Sequence, residues 1–173
     1  MKLIRLSHNI NTHLHHHIKI NNSYNLKGMG KILSNYNGDD WKYYFKNNYL
    51  SGDNITHFPD RNYTKILLPY DTPKINMYLI EWKPGAITHV HGHNGNIGCI
   101  FKVLSGNLKE TLYGNYYDIV NPDNNPDNKY LINDMYLKKS HINYLNDNIG
   151  YHRIQNNNGN LNSYSLHIYP KLI

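Results

Sequence analysis

Residues 82–93 of the chain read Trp82-Lys83-Pro84-Gly85-Ala86-Ile87-Thr88-His89-Val90-His91-Gly92-His93. The Pro84-Gly85 pair predicts a turn, and we expect a strand to follow it, as at the mouth of a β-barrel. Residues i and i+2 of a strand point to the same face, so His91 and His93 can present both imidazoles to one metal ion. His89 has the same parity and is a competing ligand.

A third ligand has to come from elsewhere in the chain. The stretch Asp147-Asn148-Ile149-Gly150-Tyr151-His152-Arg153 offers His152 at the point where a turn enters a predicted strand. Neutral imidazole binds Fe, Zn, Cu and Ni, so the histidines alone leave the metal open. The usual non-haem iron triad has two histidines and one carboxylate. Here no Asp or Glu lies between His93 and Glu110, and Cys99 stands in that interval.

Short candidate strands, separated by turns rich in Gly, Pro, Asn and Asp, continue on both sides of this segment. They are Ile66–Leu68, Ile75–Trp82, Cys99–Leu104, Leu108–Tyr113, Leu131–Leu137, Ile142–Leu145, His152–Gln155 and Tyr164–Tyr169. Many short strands at regular spacing indicate a mainly β protein, a sandwich or a barrel, over residues 63–170.

Residues 1–55 differ from this pattern and predict a short helical N-terminal region. Leu26–Leu33 and Trp41–Leu50 carry apolar residues at helical spacing, and Asp39-Asp40 supply an N-terminal cap before Trp41. The tract His13-Leu14-His15-His16-His17 can bind metal adventitiously. No carboxylate or cysteine completes a defined site there, so we interpret the tract as a solvated surface segment.

The composition limits the class of protein. A length of 173 residues predicts one domain, 1–173. The net charge of +6 is compatible with a polyanion partner, but Lys and Arg are scattered without a basic stripe, so we expect no nucleic-acid partner. The single cysteine cannot form an intrachain disulfide, which favours a reducing compartment. No apolar run is long enough for a signal peptide or a membrane span, and we expect a soluble, cytoplasmic monomer with no membrane partner.

At this point the residues resemble a known family. Gly85, His91-x-His93, Cys99 and Gly106 follow the first cupin motif, with Cys99 in place of the usual glutamate. That replacement resembles the mammalian-type (type I) cysteine dioxygenases of the cupin superfamily. Further similar stretches run over Cys99–Leu112, Asn146–Arg153 and Ser165–Tyr169. The resemblance extends from about Tyr63 to Pro170 and implies a double-stranded β-helix, the jelly-roll barrel of the cupins.

The resemblance also implies an activity and a site. In this family three histidines, here His91, His93 and His152, bind one Fe(II), and L-cysteine is oxidised with O2 to cysteine sulfinate. Tyr169 matches the active-site tyrosine, and Cys99 matches the cysteine that becomes linked to it by a thioether, a protein-derived cofactor.

The strand that carries the tyrosine adds two further candidate catalytic residues. Ser165, His167 and Tyr169 alternate along it and share a face, so they can form a hydrogen-bond relay that orients the phenol.

The substrate-binding residues depart from the family pattern. Tyr63 and Lys65 are the candidates, and Lys65 falls where the family carries an arginine that grips the substrate carboxylate. Lysine keeps the charge but loses the bidentate fork. Two alternatives therefore stay open: a dioxygenase for another small thiol carboxylate such as 3-mercaptopropionate, and a degenerate, non-catalytic metal-binding cupin. The chain ends four residues past Tyr169, where typical members continue, so we expect a more open pocket.

Overall fold

The structure is a computed structural model that describes residues 1–21, 26–46, 54–70, 74–93, 98–114 and 131–171. Within those ranges the side chains of residues 16–21 and 26–27 stay outside the description. Three helices come first: α1 (Leu3–Asn21), α2 (Leu26–Ser34) and α3 (Trp41–Lys46). No helix in the described part of the chain is long and apolar enough to cross a membrane.

Strands and connecting turns make up most of the rest of the described chain. The strands are β1 (Ile55–Phe58), β2 (Tyr63–Leu67), β3 (Ile75–Trp82), β4 (Cys99–Ser105), β5 (Asn107–Tyr113), β6 (Leu131–Lys138), β7 (Ile142–Leu145), β8 (Tyr151–Asn156) and β9 (Ser163–Pro170). They form a six-stranded sheet in the order β1-β2-β3-β9-β4-β7 and a three-stranded sheet in the order β6-β5-β8. Every pairing between these strands is antiparallel.

One apolar cluster fills the space between the two sheets. Trp82, Phe101 and Val103 come from the large sheet, while Leu108 and Ile154 come from the small one. Because side chains alternate along a strand, the neighbouring positions of the large sheet point the other way. The mainly β fold with a helical N-terminal region, predicted from the sequence, is confirmed.

The outward-pointing residues of the large sheet pack against the helices. They form a second core with the apolar face of α1, and its members include Leu6, Ile10, Met29, Leu33, Ile75, Leu79, Ile100, Leu166 and Ile168. The histidine tract, interpreted as surface, lies on α1: His15 is exposed, whereas Leu14 is fully buried in this core. The described part of the tract, residues 13–15, is therefore a half-exposed part of a packed helix.

Lys102 joins β4 to the end of α2. Its side chain is 3% exposed, and its Nζ donates to the carbonyl oxygens of Leu33 at 3.2 Å, Ser34 at 3.1 Å and Tyr36 at 2.6 Å. The last carbonyls of a helix have no partners within the helix and carry partial negative charge. The buried ammonium therefore caps the C-terminus of α2.

The prediction that Asp39-Asp40 caps α3 needs a correction, because the Asp39 carboxylate accepts from Nζ of Lys42 at 2.9 Å and Asp40 serves another helix. The Asp40 carboxylate accepts from the amide of Leu3, the first residue of α1, at 2.7 Å and from the Tyr36 hydroxyl at 2.8 Å. In the first turn of α3, the amide of Lys42 donates to the backbone carbonyl of Asp39. Sequence proximity pointed to α3, but the fold brings the N-terminus of α1 to this carboxylate.

Most of the remaining element boundaries agree with the prediction, but α1 was not predicted as a separate helix, and β2 begins at Tyr63 rather than at Ile66. The second helix begins at Leu26 as expected, and the third begins at Trp41, with Asn47–Leu50 outside the described residues. Strand β1 was not predicted, and it adds an edge to the large sheet by pairing with β2.

Candidate metal centre

The segment that carries His91 and His93 is not the strand that we expected. After the turn at Pro84-Gly85 the chain makes only isolated bridges to β8, at Ile87 and at His91. The His91 bridge is direct, because the amide of His91 donates to the carbonyl of His152 and the amide of His152 donates back, both at 2.9 Å. Two predicted ligands are thus placed opposite each other by backbone bonds.

Gly92 lies where the backbone is approached closely by two side chains. A Cβ at this position would meet the Asp147 carboxylate and would lie 2.7 Å from Cε1 of Tyr151. The Asp147 carboxylate also accepts from the amide of His93 at 2.6 Å. The loop before β8 therefore holds the His91-Gly92-His93 backbone at close range, which requires a glycine between the two histidines.

His91, His93 and His152 form a cluster in which each residue offers one ligand atom and all these atoms lie within 4.8 Å of one another. The Nε2 atoms of His93 and His152 are 2.8 Å apart. Nδ1 of His91 donates to the carbonyl of His89 at 2.9 Å, which leaves its Nε2 as the free ligand atom.

His89, the competing ligand, lies outside this cluster. Its side chain is exposed, and its Nδ1 is 2.8 Å from Nη2 of Arg61. His89 was considered a ligand because alternate residues of a regular strand point to the same face. The segment is not a regular strand, so this reason does not apply to it.

The cluster fits a transition metal. Burial, followed by the neighbouring histidines, lowers the pKa of His93 to about 2, and burial lowers the pKa of His152 well below its usual range. Both imidazoles are therefore neutral at physiological pH, as a metal ligand must be. Two nitrogens bound to one ion at about 2.1 Å, at right angles, lie about 3 Å apart, which is close to the spacing of the two Nε2 atoms.

Glu110 is a functional residue that the sequence analysis did not assign. Its side chain is 2% exposed, and one carboxylate oxygen lies 2.6 Å from Nδ1 of His152. The amide of Asn143 donates to its other oxygen. Burial raises the pKa of Glu110 to about 7, although the Asn143 bond opposes this rise. Glu110 lies two positions after Leu108, on the same inward face of β5. A carboxylate at an inward position of a predicted strand is the sequence signal that could have identified it.

Cys99, Ser165 and His167 lie together in the barrel interior. The Ser165 hydroxyl is 2.8 Å from Nε2 of His167, and Nδ1 of the same imidazole lies 3.7 Å from the Cys99 sulfur. The Trp82 indole donates to Ser165 at 2.8 Å. Burial lowers the pKa of His167 well below its usual range. The chain of contacts therefore runs from Trp82 through Ser165 and a neutral His167 to the thiol.

Tyr169 is next to the same thiol. Its hydroxyl donates to the Cys99 sulfur, and burial raises the pKa of Cys99 to about 12. The ring of Tyr169 stacks at 6.2 Å on that of His167 and lies 5.7 Å from that of His93, centroid to centroid. The expected relay thus reaches the phenol through the sulfur, and Cys99 and Tyr169 are placed side by side.

Lys65 and Tyr63 lie on β2 at the wall of a cavity of about 400 Å³. The Lys65 ammonium is 3.9 Å from the ring centroid of Tyr78 and 4.7 Å from that of Tyr169. Burial lowers the pKa of Lys65 from its ordinary value. Tyr63 packs between Phe58 and Trp82, with ring centroids at 4.4 and 5.3 Å.

The cavity brings the candidates together. Its lining, among the described residues, includes His91, His93, His152, Lys65, Tyr63, His167, Tyr169, Phe58, Ile80 and Trp82, and contains no carboxylate. Cys99 and Ser165 are fully buried behind this wall. A small anionic molecule fits this environment, since the one ammonium of the lining is balanced by no acidic side chain.

Comparisons with known proteins agree with these observations. The sequence model of the family described as cysteine dioxygenase type I matches residues 11–172. Cysteine dioxygenase type 1 from Homo sapiens is 28% identical over 156 residues, covering 89% of this chain and 69% of that protein. The enzyme of the same name from Danio rerio is 27% identical over the same length and coverage.

Solved structures are similar in fold alone. KdgF from Halomonas sp. has a TM-score of 0.50 at 12% identity, covering 73% of this chain and 93% of that chain. The formate complex of oxalate decarboxylase from Lactobacillus farciminis has a TM-score of 0.51 at 14% identity, covering 69% and 31%. These likenesses support the jelly-roll barrel expected from the sequence.

Proposed function

Because the chain belongs to the cysteine dioxygenase type I family, we propose that it is a thiol dioxygenase that converts L-cysteine and O2 into cysteine sulfinate. One observation carries the proposal. Three neutral imidazoles, with no carboxylate among them, share a cavity wall with Tyr169, whose hydroxyl bonds to the buried Cys99 thiol. A barrel that only binds a metal does not require the pair of Tyr169 and Cys99.

His91, His93 and His152 would hold Fe(II), one per chain. Bound Fe(II) supplies the redox chemistry with dioxygen and favours the thiolate form of the substrate. Three neutral ligands leave the 2+ charge uncompensated, and His152 is held in one orientation by Glu110 at 2.6 Å.

The other residues bind and orient the substrate. The Lys65 ammonium attracts the carboxylate of the substrate as a point charge, without the fork of an arginine. Tyr63, Phe58 and Trp82 form an apolar wall that excludes water on the side facing Lys65. Tyr169 presents its phenol between the ammonium and His93.

We further propose that Cys99 and Tyr169 become covalently joined. A bond forms between sulfur and a ring carbon, while the thiol hydrogen and one ring hydrogen leave as two protons and two electrons, which reduce one O2 to H2O2. Intact mass spectrometry of the purified protein tests this step. The expected mass is two hydrogens below that of the sequence, and the C99S variant should show no such deficit. An unmodified mass after repeated turnover would contradict the linkage.

The activity itself is tested by metal analysis and oxygen uptake. Protein loaded with Fe(II) is expected to consume one O2 per cysteine and to release cysteine sulfinate, identified by mass spectrometry. The H152A variant should lose both metal and activity, whereas H89A should keep the metal, because His89 lies outside the cluster. No oxygen uptake with any small thiol, at full iron occupancy, would overturn the proposal in favour of a non-catalytic metal-binding cupin.

A second candidate substrate is a small thiol carboxylate without an amine, such as 3-mercaptopropionate. The cavity lining described above holds a cation for the carboxylate but no acidic side chain for an ammonium group. Comparison of turnover between the two thiols decides between them.

We also propose that the protein acts on small molecules as a cytoplasmic monomer, since its one cysteine is a buried thiol, and light scattering in solution tests the monomer.

A further inference from the structure

Lys65 reaches the cavity along the rings of two tyrosines. Its Nζ lies 3.9 Å from the centroid of Tyr78 and 4.7 Å from that of Tyr169, and these two rings meet edge to face at 5.5 Å. Tyr169 already has a place in the proposed function. Tyr78 has none, although it is the closer of the two rings to the ammonium.

Strand register explains how Tyr78 comes to lie there. In β3, Ile75, Met77 and Leu79 pack toward the helices, so the alternate positions Tyr78 and Ile80 face the barrel interior. Lys65 on β2 is paired with Ile80. Tyr78 is therefore the diagonal neighbour of Lys65 on the same face, within reach of a long side chain.

A lysine side chain at a binding site is flexible, and a neighbouring ring such as that of Tyr78 can hold its ammonium in place. Its ammonium ends a flexible stem with about 2 kcal/mol of rotamer entropy, and it has no planar fork to fix its direction. A cation over an aromatic face gains about 0.5–2 kcal/mol, more when it is shielded from water. Lys65 is partly buried at this point, and no carboxylate lines the cavity beside it among the described residues.

We propose that Tyr78 is a positioning residue: its ring fixes the Lys65 ammonium at the cavity wall and thereby selects thiols that carry a carboxylate. The inference rests on the proposed function, since it assumes that Lys65 meets the substrate there. It predicts a selectivity that depends on the ring of Tyr78 and not on its hydroxyl group.

Binding without turnover gives the sharpest test. The protein is loaded with Co(II) in the absence of oxygen, and thiolate binding is followed by visible absorption for L-cysteine and for cysteamine, which lacks the carboxylate. Y78L is expected to weaken L-cysteine binding about fivefold and to leave cysteamine binding at its wild-type strength. Y78F keeps the ring and is expected to retain the wild-type preference for L-cysteine.

The control is Y164L, which removes a tyrosine of similar partial exposure from the adjacent strand β9. The Tyr164 ring packs on Trp41 and Phe45, on the opposite face of the sheet. Y164L should change neither affinity. Y78M, with an unbranched apolar side chain, takes the place of Y78L if the latter does not fold.

The outcomes separate this inference from the proposed function. Equal weakening of both thiols by Y78L, unchanged L-cysteine binding, or wild-type protein that binds neither thiol would each overturn the role of Tyr78. If the Co(II) protein shows the expected selectivity but the Fe(II) protein consumes no oxygen, the dioxygenase proposal fails while the role of Tyr78 stands.

Discussion

Glu110 is a buried carboxylate with both oxygens engaged, one by Nδ1 of His152 and the other by the amide of Asn143. Burial lowers the pKa of His152 well below its usual range, so this imidazole is neutral. When Nδ1 carries the proton and donates it to the Glu110 carboxylate, Nε2 is left for a metal. Glu110 sets both the tautomer and the angle of one ligand.

Replacing Glu110 by glutamine should weaken metal binding about 10- to 100-fold, the usual effect of losing such a supporting bond. The amide has nearly the same shape but no charge, and it can present a donor where His152 needs an acceptor. Competition of the protein with a coloured chelator for Co(II) measures the affinity directly. The control is E81Q, because Glu81 accepts from two groups outside the cavity lining, the amide of Asn162 and the hydroxyl of Tyr164. Wild-type affinity in E110Q would show that the carboxylate is not needed.

At this scale the sequence identified residues whose role depends on local spacing. His91 and His93 were identified together because they are two positions apart, although the segment that carries them is not a regular strand. The role of Glu110 depends instead on the register of β5 with β8, in which Leu112 is paired with His152. Nothing in the local sequence specifies this register, so the carboxylate could not be connected to its histidine.

Among the elements, α2 depends on a residue from a distant strand. Lys102 in β4 donates to three carbonyls at and just beyond its C-terminus. The variant K102M would leave these acceptors without their donor in a buried place. We expect a loss of about 2 kcal/mol in the free energy of unfolding, measured by urea denaturation.

The matched control is K109M on β5, the next strand in the chain. Lys109 forms a partly exposed ion pair with Asp134 at 2.8 Å, and such pairs contribute at most about 1 kcal/mol. Equal destabilisation by the two variants would mean that Lys102 acts as an ordinary surface lysine.

The strands were predictable to the extent that their apolar pattern is continuous. Ile75–Trp82 and Ile142–Leu145 have the expected bounds, because β-branched and aromatic residues fill them and turn residues flank them. The segment from His89 to His93 was wrongly predicted as a strand. Gly92 must lie against Asp147 and Tyr151, and this contact between distant parts of the chain replaces regular pairing.

For the whole molecule, the candidate metal centre joins parts that are far apart in the chain. His91 and His93 belong to the segment that follows β3 of the large sheet, while His152 belongs to β8 of the small sheet. A ligand that binds only the folded state stabilises it, by about 2.7 kcal/mol at a concentration 100 times its dissociation constant. For a chain of this size that corresponds to a rise of about 5–10 °C in melting temperature.

We therefore expect Co(II) or Fe(II) to raise the melting temperature of the wild-type protein and a chelator to reverse the rise. H89A should show the same shift and H152A should show none. Differential scanning calorimetry without oxygen, with and without the metal, measures these melting temperatures. A metal-induced shift that survives in H152A would place the ion elsewhere in the molecule.

The position of β9 has a consequence for biosynthesis. This strand lies between β3 and β4, which it joins into one sheet, yet it follows both of them in the chain. While the ribosome is still making residues before Ser163, β3 and β4 each keep an open edge with unpaired amides and carbonyls. Such edges readily pair with other chains. These two edges are closed only when β9 is inserted, so the protection of the large sheet against pairing with other chains depends on a strand that is made late.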